Sequence, residues 1–140
     1  MPVQTISLYK GRTPAEKRLI ADCIQDALSF AGYPSNDRFQ KIQEYEDDDF
    51  IIDSTFPNYA TAPRTRDFVL VQIWISTGRP DSMKHDMIEQ IQRNLGTRVG
   101  LKAADVMVVL QETAREHSSL YRGVSSDLLP PVVPRASNAQ

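Results

Sequence analysis

The sequence predicts an α+β protein, close to the α/β pattern: two β-α-β units in tandem, giving a four-stranded sheet with two helices on one face. Three observations lead there. Stretches with strand periodicity alternate with stretches of helical periodicity. The first half of the chain aligns on the second almost without gaps. A capping box marks where the first helix begins. At 140 residues, 41% hydrophobic and 24% charged, the chain suits one domain with a moderate core.

Val3 to Leu8 reads as the first strand, with Ile6 and Leu8 on one face and Thr5 and Ser7 on the other. Gly11-Arg12 forms the turn that follows. Thr13-Pro14-Ala15-Glu16 is a helix start, with Thr at the N-cap, Pro at N1 and Glu at N3. Leu19, Ile20, Cys23, Ile24, Ala27 and Leu28 recur at helical spacing, and Gly32 and Pro34 end the helix. Arg38 to Tyr45 is the second strand. Phe68 to Ile75 is a nearly continuous apolar run, expected as a strand covered on both faces. Gly78-Arg79-Pro80-Asp81 supplies the turn and cap, and Met83, Met87, Ile88, Ile91 and Leu95 mark a helical face through about Val99. Val106 to Leu110 is the last strand.

Placing Gly11-Arg12 over Gly78-Arg79 brings Ile6 onto Ile73, Lys17 onto Lys84, Ile24 onto Ile91, Gln25 onto Gln92 and Leu28 onto Leu95. After a shift of one residue, Asp37 falls on Asp105, Gln43 on Gln111 and Glu44 on Glu112. The ordered identities predict a duplicated unit of roughly 65 residues in preference to chance similarity. A single domain is therefore expected over residues 1–124, with pseudo-repeats over about 2–45 and 68–112. Residues 46–66 form a long connector whose acidic run, Glu46-Asp47-Asp48-Asp49, reads as a solvated loop before it reads as a cation site. Residues 125–140, with Pro130, Pro131 and Pro134, suit an extended or disordered tail.

A crossover of this length makes the strands of each unit parallel, with both helices on one side of the sheet. The other side is then bare, and Val69, Val71 and Ile73 are expected to need cover from another subunit.

Composition narrows the function. The net charge of −2, without a Lys/Arg cluster, argues against nucleic acid as a partner. No stretch reaches the ~18 apolar residues of a membrane span, and the start lacks a signal-peptide pattern, so a cytoplasmic protein is expected. Cys23 is the one cysteine, which excludes an internal disulfide and a multi-Cys metal site, and its apolar helical face suits a core position. No phosphate loop, Cys/His metal spacing or nucleophile elbow is present. His85 beside Lys84 and Asp86 reads as surface, and His117 lies near the tail.

What remains is the start, Met1-Pro2-Val3. Removal of Met1 would leave Pro2 a free secondary amine at the head of a strand. An α-amino group has an ordinary pKa of about 7.7–8.0. A nearby cation or an apolar wall lowers it toward the range of a proton-transfer catalyst.

Met1-Pro2-Val3-Gln4-Thr5-Ile6-Ser7-Leu8, Gly11-Arg12-Thr13-Pro14-Ala15-Glu16-Lys17-Arg18 and Asn36-Asp37-Arg38-Phe39-Gln40 resemble the tautomerase superfamily. The likeness is to its long members of fused β-α-β units, similar to malonate semialdehyde decarboxylase, and runs from Pro2 to about Glu116. It implies a homotrimer that needs no cofactor and acts on a small carboxylate-bearing substrate. It implies that Pro2 is the catalytic group, that Arg79 binds the substrate carboxylate, and that Asp37 orients water or substrate. Two departures accompany it. Thr77 stands where decarboxylases have a second arginine, and Ser118-Ser119-Leu120-Tyr121 replaces an aromatic Trp-Ser-Phe-Gly segment. Arg115, Tyr121 and Arg122 are candidates to substitute. Three readings follow: a tautomerase of small oxo acids, a decarboxylase or hydratase-type lyase, and a trimeric binding protein without turnover.

Overall fold

The computed structural model describes residues 1–121, apart from the side chain of Tyr121, and residues 132–136. The element order is β1 (Val3–Tyr9), α1 (Pro14–Ala31), β2 (Phe39–Tyr45), β3 (Val69–Ser76), α2 (Asp81–Asn94) and β4 (Val106–Thr113). The sheet runs β2-β1-β3-β4. β1 pairs parallel with β2 and β3 parallel with β4, while the central β1–β3 pair is antiparallel. Two parallel β-α-β units thus meet back to back, as the sequence leads one to expect. The offsets that align the two halves carry the pair Val3↔Phe39 onto Leu70↔Met107, which is the observed register of the second unit.

The first helix begins where its side chains can satisfy the free N–H groups of its first turn. Glu16 N–H donates to Thr13 Oγ1 at 3.2 Å and Thr13 N–H donates to Glu16 Oε2 at 2.8 Å. A cap of this kind is worth about 1 kcal/mol. α1 buries Ile20, Cys23, Ile24, Ala27 and Leu28 against the sheet. Burial also pushes the Cys23 thiol up from its ordinary pKa, keeping it in the unreactive form. Gly32 ends the helix at a φ of 123°, and a Cβ there would come within 2.0 Å of the Val133 carbonyl oxygen. Residues 132–136 form neither helix nor strand, with Val133 N–H donating to Gly32 O at 3.3 Å and Arg135 lying over the Phe30 ring. The remainder of the expected tail, and the boundary at 124, lie outside the described residues.

α2 starts within the expected turn and cap, Gly78-Arg79-Pro80-Asp81. Pro80 is the cap position, and Asp81 instead pairs with Lys84 at 3.0 Å within the first turn. Met83, Met87 and Ile91 face the core, and a π-helical turn over Leu95–Val99 continues the chain to Gly100. The helices touch at Asn94, whose Nδ2 donates to Cys23 O at 3.0 Å.

One expectation is corrected. Val69, Val71 and Ile73 are 0% exposed because they face the two helices. The uncovered side of β3 presents Leu70, Gln72 and Trp74, so within the described chain this strand is covered on one face, with alternating burial. The single polar residue of the run, Gln72, carries the parity that the apolar run hides. On the same open side lie Phe39 and Met107, 43% and 48% exposed. In the connector, Asp47 pairs with Arg66 at 2.6 Å and Glu46 with Lys10 at 2.7 Å. Among the described residues no helix is long and apolar enough to cross a membrane.

Candidate active site

Topology alone gathers the candidate residues. β1 and β2 are parallel and begin at the same end of the sheet; β3 and β4 finish there. That end therefore collects four things: the start of the chain, the loop before β2, the turn after β3 and the segment after β4. These carry Pro2, Asp37, Thr77 with Arg79, and Arg115 in that order. The last two strands are held in step to their ends, where Thr77 N–H donates to Thr113 O at 3.1 Å.

Pro2 is buried and its nitrogen lies in the peptide bond to Met1. The amino group of Met1 is thus the nearest ionisable stand-in for the amine that loss of Met1 would create. It sits 3.6 Å from Asp37 Oδ2, with side-chain exposures of 16% and 17% for the two residues. Its pKa lies below the ordinary 8.0. Burial is the largest cause, since desolvation disfavours the cation. Asp37 opposes this, while the guanidinium groups of Arg79 and then Arg115 reinforce it.

Arg79 lies in the turn that Gly78 makes at a φ of 92°, a left-handed conformation that suits glycine. Its guanidinium stands 5.8 Å from the centre of the Tyr33 ring. Its Nε is buried and has no hydrogen-bond partner among the described residues. Buried donors are nearly always paired, so a guanidinium left this way at a site is suited to a ligand's acceptor atoms. Thr77 is exposed at the same turn. His85 and His117 are exposed, and neither is among the groups acting on the amino terminus.

Sequence reasoning named Arg115 only as one of three possible substitutes. Arg115 opens a short 3-10 turn, Arg115–His117, just beyond β4. Ser118 follows it, its Oγ 3.7 Å from Met1 Sδ, so this segment folds over the first residue. Arg122 and the side chain of Tyr121 lie outside the described residues.

A family model described as "Tautomerase enzyme" matches residues 37–120. The chain belongs to the tautomerase family. The matched span includes Asp37, Thr77, Arg79 and Arg115. Curated relatives of the family are similar along most of their length. The chain is 25% identical over 124 residues to the probable tautomerase YusQ of Bacillus subtilis (strain 168), covering 88% of this chain and 95% of that one. It is 24% identical over 113 residues to the probable tautomerase YrdN of the same organism, covering 80% and 84%. Among solved structures it resembles a malonate semialdehyde decarboxylase studied for decarboxylase and hydratase activities. The TM-score is 0.77 at 25% identity, over 87% of this chain and 92% of that one. A fused 4-OT solved as a symmetric trimer shares the fold, with a TM-score of 0.69 at 23% identity over 89% and 96%.

Proposed function

We propose that removal of Met1 frees the Pro2 amine to act as acid and base in keto–enol tautomerisation of a small oxo acid. The observation that carries this reading is the meeting of the amino terminus, Asp37 and Arg79 at one end of the sheet. In the ketonising direction the neutral amine takes the enol O–H proton. The oxygen's electron pair forms the C=O bond as the C=C pair turns onto carbon, and the protonated amine returns the proton there. Arg79 binds the substrate carboxylate through its paired N–H groups and holds the enolate charge as it develops. The same cation keeps the amine's pKa low enough for the base form to be populated. Thr77 lines the turn. We further propose that copies of the chain assemble as a homotrimer, which would cover Leu70, Trp74, Phe39 and Met107 on the open sheet face.

The short distance between Asp37 and the amino terminus favours a second reading, a lyase that decarboxylates a 3-oxo acid or hydrates an activated acrylate. There the protonated amine would act as acid while Asp37 orients water. Two measurements separate these readings. Intact mass should show loss of Met1; a retained methionine leaves Pro2 acylated and overturns any mechanism through its amine. Phenylenolpyruvate ketonisation should fall at least about 100-fold in Pro2→Ala, and equal rates would overturn the tautomerase reading. Turnover of malonate semialdehyde in preference to phenylenolpyruvate would favour the lyase. No turnover of any oxo acid would favour a binding protein.

A further inference from the structure

Three glutamines form a row inside the first β-α-β unit. Gln4 in β1 is 0% exposed and Gln25 in α1 is 3% exposed. Gln40 Nε2 donates to Gln4 Oε1 at 2.8 Å and to Ala21 O at 2.8 Å. Gln4 Nε2 donates in turn to Gln25 Oε1 at 3.1 Å. Gln25 Nε2 then donates to the backbone oxygen of Asp37 at 3.1 Å and, at a longer 3.4 Å, to that of Ser35. Every amide is used as one consistent donor and acceptor, and the row ends on the residue whose carboxylate lies 3.6 Å from the amino-terminal nitrogen.

The second unit shows that the fold does not require this row. Gln4 and Gln40 are paired neighbours in the first unit; the aligned neighbours in the second are Val71 and Val108, also paired. Gln92, aligned with Gln25, is exposed. A valine pair closes the layer there, as apolar packing ordinarily does. Buried amides bring directional hydrogen bonds and little stability beyond what apolar packing gives. Their presence in the unit that carries Pro2 and Asp37, and their end point on Asp37, set them apart.

We propose that Gln25, backed by Gln4 and Gln40, is a positioning residue that fixes the loop of Asp37 so that its carboxylate stands beside the catalytic amine. This rests on the reading of Pro2 and Asp37 given above. Besides Gln25, the loop has local turn bonds, from Asp37 N–H to Pro34 O and from Arg38 N–H to Asn36 O, both 3.0 Å, and Arg38 Nη2 donates to Asp22 Oδ1 of α1 at 2.7 Å. The turn bonds close the loop on itself and the Arg38 side chain reaches α1 from its far end, whereas the Gln25 amide holds the backbone of Asp37 itself to α1. A displacement of about 1 Å at a reacting group is enough to lower a rate 100-fold.

The test is a cycle of Gln25→Met and Asp37→Asn in the full chain, read by the pKa of the Pro2 amine in 15N-proline-labelled protein and by kcat and KM on phenylenolpyruvate. Asp37 raises the amine's pKa, so both variants should lower it. Gln25→Met should also move the acidic limb of the pH–rate profile downward, in the sense expected for Asp37→Asn, with KM nearly unchanged. Adding Gln25→Met to Asp37→Asn should then change nothing further. Equal effects in both backgrounds, or an amine pKa unmoved by Gln25→Met, would overturn the proposal and leave Gln25 a packing residue. The double variant Gln4→Val with Gln40→Val copies the second unit's pair. It should stay folded and lower the amine's pKa by less; a folded protein with a native titration would overturn the role of the row. Pro2→Ala is the reference. If it is as active as the native chain, the site reading falls and this inference with it. If it is inactive while the two single shifts add, only the inference falls.

Discussion

The two ends of the sheet hold corresponding residues in different states. At one end stand Pro2, Asp37 and Arg79; at the other, by the alignment of the halves, stand Val69, Asp105 and Arg12. Asp105 is 2% exposed and accepts both Thr65 N–H and Thr65 Oγ1–H at 2.7 Å. Arg12 donates to the backbone oxygen of Asp67 at 2.9 Å, with the Asp67 carboxylate 3.7 Å away. Asp105 of the second unit and Arg12 of the first therefore hold the chain that enters β3. At the first end Met1 and Pro2 lead into β1. Asp37 faces an ionisable nitrogen, and Arg79 keeps a buried Nε without a hydrogen-bond partner among the described residues. The difference lies in the partners: one carboxylate holds Thr65 of the connector, the other faces the Met1 nitrogen.

The largest break in this comparison is chemical. Pro2→Ala should reduce kcat/KM by about 10²–10⁴, with circular dichroism unchanged. Next is the pair of arginines. Arg79→Ala should lower kcat/KM about 100-fold or more and move the acidic limb of the pH–rate profile upward, because the cation that depresses the amine's pKa is lost. Arg12→Ala should leave kcat/KM per folded molecule unchanged and lower stability by about 1 kcal/mol in urea unfolding.

The aspartates should separate in the same sense. Asp105→Ala removes a buried carboxylate and its two hydrogen bonds to Thr65 and should destabilise by about 2 kcal/mol, with the pH profile unaltered. Asp37→Asn should do the reverse, changing stability little and moving the acidic limb downward, since the carboxylate favours the protonated amine. The smallest expected effect is that of Arg115→Ala: an upward shift of the limb, smaller than for Arg79→Ala, because its guanidinium is the last of the influences on the amino terminus.

Much of the fold was legible because local signals agreed with it. Thr13 and Glu16 state the helix start, and the Ile20–Cys23–Ile24–Ala27–Leu28 spacing states which face is buried. The face of β3 is hard to read because its six apolar residues obscure the alternation that Gln72 alone reveals. Asp37 and Arg79 were named from motif likeness, and the local turn of each is what the sequence indicates. Arg115 could be named as a candidate and not placed, because its position depends on the parallel register of β4 against β3. The glutamine row was invisible for a related reason. A lone Gln in a strand reads as solvent-facing until pairing across β1, β2 and α1 brings three of them together, two buried and Gln40 half-buried.

The central claim is that one end of the sheet carries a free secondary amine of lowered pKa. The direct measurement is the titration of the Pro2 nitrogen by 15N NMR in 15N-proline-labelled protein. The account predicts one proline nitrogen that titrates as an amine, below the ordinary α-amino range of about 7.7–8.0. A proline set with no titrating nitrogen, or one that titrates at or above that range, would contradict it.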